Sequence, residues 1–233
     1  MSADLARIDP GQMPESLCRA CVGLLPVDGA SVSIAGGPSV RATWCASDLT
    51  AARLAEAQYT LGDGPCQSAL DSAAVVLAGD LTRGPDAHRW PVFAAEAVSL
   101  GVEAVFSLPL GVDGTTVGTL DLYRDRPGGL SDSELRIALW TRDAVTFAVT
   151  NIPPGDETAE PYGEAAEEGV APWIRASEAD HGEVQQAVGM VMVQLDLPPE
   201  QALDRIRAAA FTEGRTVSEL AHDIVLRRFG FGP

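Results

Sequence analysis

QQAVGMVMVQL, residues 185–195, places a glycine inside an apolar run. Gly189 has no side chain to pack in a strand, and in a helix it costs about 1 kcal/mol relative to alanine. Either regular structure breaks here, or something approaches the backbone closely. The flanking pattern decides for a helix. Val184, Ala187, Val188, Val191, Met192 and Leu195 recur at i, i+3, i+4, i+7, i+8 and i+11, a single helical face. Asp196-Leu197-Pro198-Pro199 ends that helix, and Pro199 can take the first position of the next. A second face, Ala202, Leu203, Ile206, Ala209 and Ala210, stops at Gly214. Thr216-Val217-Ser218-Glu219 reads as a capping box for a third helix, with Val217, Leu220, Ala221, Ile224 and Val225 on its apolar face. Three short helices on one core follow. In that bundle Ala187 and Gly189 are the small residues that let a neighbouring backbone or a ligand approach the first helix.

Upstream the periodicity changes. Residues 1–150 alternate short strands and helices: a helix at about 12–25, two strands in ASVSIAGGPSVRATWCAS, and a helix from about Asp48 to Gln58. Gly64-Pro65 then marks a turn and a helix start, AAVVLAGDL a short buried strand, and RWPVFAAEAVSLG a helix with Trp90, Phe93, Ala94 and Ala97 inward. Asp113-Gly114 between two alternating apolar runs is a strong hairpin signal, and a helix begins after Ser131. This order predicts an α+β domain, one antiparallel sheet flanked by helices. Residues 151–172 carry six acids, no base, four Pro and three Gly, which reads as an acidic, solvated linker. The expected division is therefore 1–150, a 151–172 linker, and a 173–233 helical domain.

The formal net charge is −17, and all 16 basic residues are arginine. Such a chain is poorly suited to non-specific binding of nucleic acid or anionic membrane, so any RNA contact must be local and geometric. MSADLARIDPGQ carries acids before any apolar stretch, and no segment is apolar enough to span a bilayer, so a cytoplasmic protein without membrane contact is expected. In that compartment Cys18, Cys21, Cys45 and Cys66 should all be reduced thiols, Cys18 and Cys21 packing a helix into the core. The three histidines, His88, His181 and His222, are scattered, and no metal-ligand spacing is present.

The stretch 183–225 resembles an ANTAR domain, the RNA-binding module of transcription antitermination regulators. Ala187 and Gly189 match that family's A-x-G, Ala202 its mid-domain alanine, Arg207 with Ala210 its L-R-x-x-A, and Ala221 the alanine of its last helix. Residues 27–150 resemble a GAF domain of the actinobacterial kind that precedes ANTAR, through LGDGPCQSAL, RWPVFAAEA and SLPLGVDGTTVGTLDLY. The resemblance implies a signal-responsive, non-enzymatic regulator: GAF senses an unidentified ligand or signal, and ANTAR binds paired RNA hairpins. It also implies a homodimer through the helices flanking the GAF sheet. Any cofactor is left unspecified.

On this reading RNA contact falls to Arg207, with Gly189, Ala187, Ala210, Thr216 and Arg215 around it, and Arg207 is expected to be exposed. Thr216 has a second role as helix N-cap. A GAF pocket is expected around Trp44, Cys66, Phe106 and Tyr123. Cys66 sits in a first helical turn, where the helix dipole can lower a thiol pKa. That keeps open a Cys-dependent methionine sulfoxide reductase, with Cys45 as a possible resolving thiol. A dimeric interaction module without RNA binding is the third alternative.

Overall fold

Alternation along one strand sorts the whole N-terminal domain. In Thr115–Arg124, the residues Leu120 and Leu122 point to one face of the sheet, and Thr119, Asp121 and Tyr123 to the other. The computed structural model describes residues 13–37, 40–112, 115–150 and 172–232. Its elements run α1 (Met13–Leu24), β1 (Gly29–Gly37), β2 (Val40–Ala46), α2 (Leu49–Leu61), α3 (Pro65–Ser72), β3 (Val76–Ala78), α4 (Gly84–Arg89), α5 (Pro91–Ser99), β4 (Ala104–Val112), β5 (Thr115–Arg124) and α6 (Asp132–Thr150). The C-terminal helices are α7 (Pro172–Leu195), α8 (Pro199–Glu213) and α9 (Val217–Val225).

The five strands form one antiparallel sheet in the order β2-β1-β5-β4-β3. On one face α1 and α6 bury Cys18, Cys21, Leu25, Ala138 and Val145 against Val32, Phe106, Leu108, Leu120 and Leu122. On the other, α2, α3 and α5 bury Leu54, Ala69, Phe93 and Ala97 against Val105 and Tyr123. The α+β expectation holds. Both hairpin tips and the linker lie outside the described residues. Gly118 shows why β5 fits where it does: a Cβ there would lie 2.2 Å from the Ser33 carbonyl oxygen, so only glycine lets β1 approach.

Local signals explain the helix ends. The Asp48 carboxylate accepts the Ala51 N–H at 3.0 Å and opens α2, and Gly62 closes it in the left-handed conformation with φ 63°. Pro65 occupies the first turn of α3. Thr216 and Glu219 form the full capping box of α9. Helix α4 has no counterpart in the sequence reading. It spans six residues and buries none of them, so it leaves no periodic signature.

The cysteines correct one expectation. Cys18 and Cys45 form a disulfide, and Cys21 and Cys66 are buried thiols. Helix α1 lies across β1 and β2 and brings Cys18 against Cys45 across 27 residues of chain, a juxtaposition that periodicity cannot reveal. Cys21 packs into the core as expected, and burial pushes its thiol pKa up to about 11.

Candidate nucleic-acid interface and sensor core

The three C-terminal helices enclose Val184, Ala187, Val191, Ala202, Leu203, Ile206, Ala210, Val217, Leu220, Ala221 and Ile224. Ala187 and Ala210 are therefore core residues, fully buried, and set helix spacing. Gly189 is exposed, and a Cβ placed on it would meet nothing within 4 Å. No neighbouring backbone presses on it, so the close-packing explanation for this glycine is wrong. It lies instead on an open groove of about 680 Å³, lined by Met190, Val193, Arg227, Arg228 and Phe229 among others. Arg227 has a left-handed backbone, φ 57°, which turns the chain so that residues 227–231 run back along α7. There Gln194 Nε2 donates to the Phe231 carbonyl. Arg227 makes no ion pair among the described residues, and Arg228 reaches Asp223 only at 3.8 Å with its side chain 66% exposed. Helical periodicity does not single out these two arginines, because the chain reversal that brings them to Gly189 is not periodic.

The other motif residues face elsewhere. Arg215 is committed to Asp223 at 2.7 Å, to Glu213 at 3.3 Å and to the Glu219 carbonyl at 2.8 Å. Hydrogen bonding to Asp223, then to Glu213, raises its pKa further. Thr216 caps α9 through a 3.1 Å bond from the Glu219 N–H.

The sheet face beneath α2 and α3 carries a buried polar row. Asp121 accepts bonds from Ser107 Oγ and from Thr119 Oγ1, the latter at 2.9 Å. Cys66 Sγ lies 3.0 Å from Thr119 Oγ1, and the Cys66 N–H donates to Gln58 Oε1 at 2.8 Å. Among the described residues, the buried Gln58 Nε2 and Ser33 Oγ find no hydrogen-bond partner. Tyr123 donates to Asp48 at 3.0 Å; burial, then the Asp48 charge, holds its phenol protonated well above the ordinary range. The four expected pocket residues are not brought together. Cys66 and Tyr123 belong to this face, whereas Phe106 and Trp44 pack on the α1/α6 side. Polar residues at alternate positions, Ser31 and Ser33 on β1 with Thr119 and Asp121 on β5, were the signal available in the sequence. Cys45, bonded to Cys18 on the opposite face, is not a resolving partner for Cys66.

A family profile for the GAF domain matches residues 9–150, more than half of the chain. The chain belongs to the GAF family. A second profile, for the ANTAR domain, matches residues 174–225. Among solved structures, the GAF region of a membrane protein from Geobacter sulfurreducens superposes with a TM-score of 0.50 at 13% identity, covering 60% of this chain and 92% of that one. A sensor histidine kinase domain from Sinorhizobium meliloti gives 0.49 at 20% identity, covering 61% of this chain and 92% of that one. At these identities the likeness concerns the fold. No protein with a curated function matches. The pairing of GAF with ANTAR is that of a regulator of transcription antitermination, and among the described residues no helix is long and apolar enough to cross a membrane.

The GAF and ANTAR domains touch through α2, and α7 also packs against β2. Tyr59 is buried and packs into the ANTAR core. Its carbonyl accepts from Arg207 Nε at 3.1 Å, and the Arg207 guanidinium carbon sits 5.6 Å from the centre of its ring. Arg207 also lies over Gly62, where a Cβ would come within 3.0 Å of it. Its side chain is 20% exposed, which corrects the expectation of an exposed arginine: the helical pattern of α8 holds no record of the GAF surface beside it. The Val217 N–H donates to Thr60 Oγ1 at 3.1 Å, and Ser218 Oγ to Glu56 at 3.1 Å. Beside these bonds a cleft of about 530 Å³ stays open, with Val92 and Leu100 on the GAF side and Phe211 and Thr216 on the ANTAR side.

Proposed function

We propose that this chain is a cytoplasmic RNA-binding antitermination regulator, in which the GAF domain receives a small-molecule or other signal and the ANTAR domain binds paired hairpins of nascent RNA. The observation that carries the reading is the groove over Gly189. Hairpin loops offer unstacked bases, which need a floor without side chains, an apolar or aromatic wall and a cation for the flanking phosphate. Gly189, Met190 with Phe229, and Arg227 with Arg228 supply these in turn. In a domain whose 173–233 segment holds six arginines against nine acids, the few uncommitted cations carry most of the electrostatic attraction. Arg207, Arg215 and Thr216 belong to the α8–α9 side, where Arg207 is held by Tyr59 and Arg215 by Asp223.

Arg227→Ala with Arg228→Ala is expected to weaken binding to a paired-hairpin RNA roughly tenfold and to flatten the salt dependence by about 1.5–2 units of slope. A gel shift at several salt concentrations checks this, with the exposed GAF residue Arg83→Ala as control. Affinity equal to the control in the double variant would remove the groove from the binding surface.

The same reading includes a homodimer. Helix α6 exposes Trp140 and Phe147, 70% and 69% accessible, on one face with Ala144 between them at helical spacing. Light scattering at micromolar concentration should give twice 24.4 kDa, and Trp140→Asp should halve it. A wild-type mass of one chain counts against the pairing.

A further inference from the structure

We propose that the GAF domain holds the Arg207 edge of its own ANTAR domain closed to RNA, with the last turn of α2 as the clamp. This rests on the RNA-binding reading above and supplies what controls it. Arg207 is the basic residue of the ANTAR motif, and it is spent on the Tyr59 carbonyl and ring. A phosphate cannot take Arg207 Nε, which donates to the Tyr59 carbonyl, without displacing α8 from α2. The start of α9 is held in the same way, since the Val217 N–H and Ser218 hydroxyl are both bonded to α2 side chains. Docking on α2 and contact with RNA through this edge therefore exclude each other.

The clamp is built to open. Its contacts are hydrogen bonds and one aromatic face, and an open cleft runs beside them. Seams of this kind resemble transient interfaces and permit domain motion. Its position also gives it an input. Gln58, Tyr59 and Thr60 are consecutive, and they face in two directions. Gln58 points into the GAF interior, fully buried, its Oε1 on the Cys66 N–H and its Nε2 without a partner among the described residues. Tyr59 and Thr60 point into the ANTAR domain. A change that re-pairs Gln58 beneath α2 must move the same turn that grips Arg207 and Val217. The apparent affinity for RNA then follows the fraction of chains whose clamp is open.

The test uses the full chain. Thr60→Val with Glu56→Ala removes both side-chain acceptors and keeps the helix. Hydrogen exchange at the Val217 amide, read by mass spectrometry, reports whether the seam has opened, and protected β4 and β5 amides report that the GAF domain is folded. Faster Val217 exchange with roughly tenfold tighter binding to a paired-hairpin RNA is the expected result, and adding Arg207→Ala should abolish that gain. Should the double variant not fold, Ser218→Ala, altered on the ANTAR side alone, is expected to give a smaller change in the same direction. An opened seam with RNA affinity unchanged from a measurable wild-type value overturns the clamp and leaves the RNA reading intact. An opened seam with RNA binding by neither protein overturns both. Unchanged Val217 exchange shows that these bonds do not hold the domains together, and overturns the clamp.

Discussion

Arg124→Ala should cost the GAF domain about 3 kcal/mol, and lower its melting temperature by roughly 6–12 °C. The residue ends β5 with its side chain 8% exposed and serves three acceptors at once, before β1, after β5 and on α6. Its Nε donates to the Pro26 carbonyl at 2.7 Å, Nη1 to the Gly129 carbonyl at 3.1 Å and Nη2 to Glu134 at 3.0 Å. The guanidinium also lies over the Phe106 ring at 5.4 Å. Alanine leaves two carbonyls without their donor and Glu134 without its cation, and the cost of such orphaned groups exceeds the net worth of the bonds themselves. Glu134 is held below the usual carboxylate range by the Ser131 N–H first and hydroxyl next, with Arg124 adding to both, so the loss does not rest on this ion pair alone. Arg124→Lys should recover less than half of the stability, because an ammonium cannot reproduce the planar fork that reaches all three acceptors. Thermal melts followed in the near ultraviolet check both variants. A shift below about 2 °C for alanine would show that the fork contributes little.

Ile206→Ala is the second large effect expected, about 2–5 kcal/mol on the ANTAR domain. Ile206 is fully buried at the centre of the three-helix core. A bundle this small seldom has more than about 3–5 kcal/mol in reserve, so the domain should lose its helices and any RNA binding together. Circular dichroism at 222 nm should fall while β4 and β5 amides remain protected from exchange. The neighbour Arg207 supplies the contrast. Arg207→Ala removes the contact with Tyr59 and should leave helical content nearly intact. Equal helix loss in both variants would mean that Arg207 is structural, and that its effect on RNA says nothing about contact.

What could be read in advance follows from which forces are local. Helices α7, α8 and α9 each bury a stripe of their own residues, so spacing alone located them, and the α9 capping box was legible residue by residue. The two faces of the sheet were half legible. Alternation shows that Phe106 and Leu108 share a side, but not which helices cover it, and so Phe106 and Trp44 were grouped with Cys66 and Tyr123 across the sheet. The Cys18–Cys45 bond and the setting of Arg207 were not legible, because each depends on a surface supplied by remote chain. Gly189 lies on a helix as the spacing of its neighbours indicates, but a glycine in a sequence does not distinguish a tight backbone contact from an open floor.

Tyr59 makes the boundary between the two domains ambiguous in an instructive way. By chain order it belongs to the sensor, some 110 residues before α7 begins; by packing it is a wall of the output module. Cutting the gene at the linker would therefore not yield the output module intact, but the module with one side missing and an apolar patch where the tyrosine had been. A fragment prepared that way differs from the same helices in the intact protein, and its solubility and affinity describe the excised piece alone.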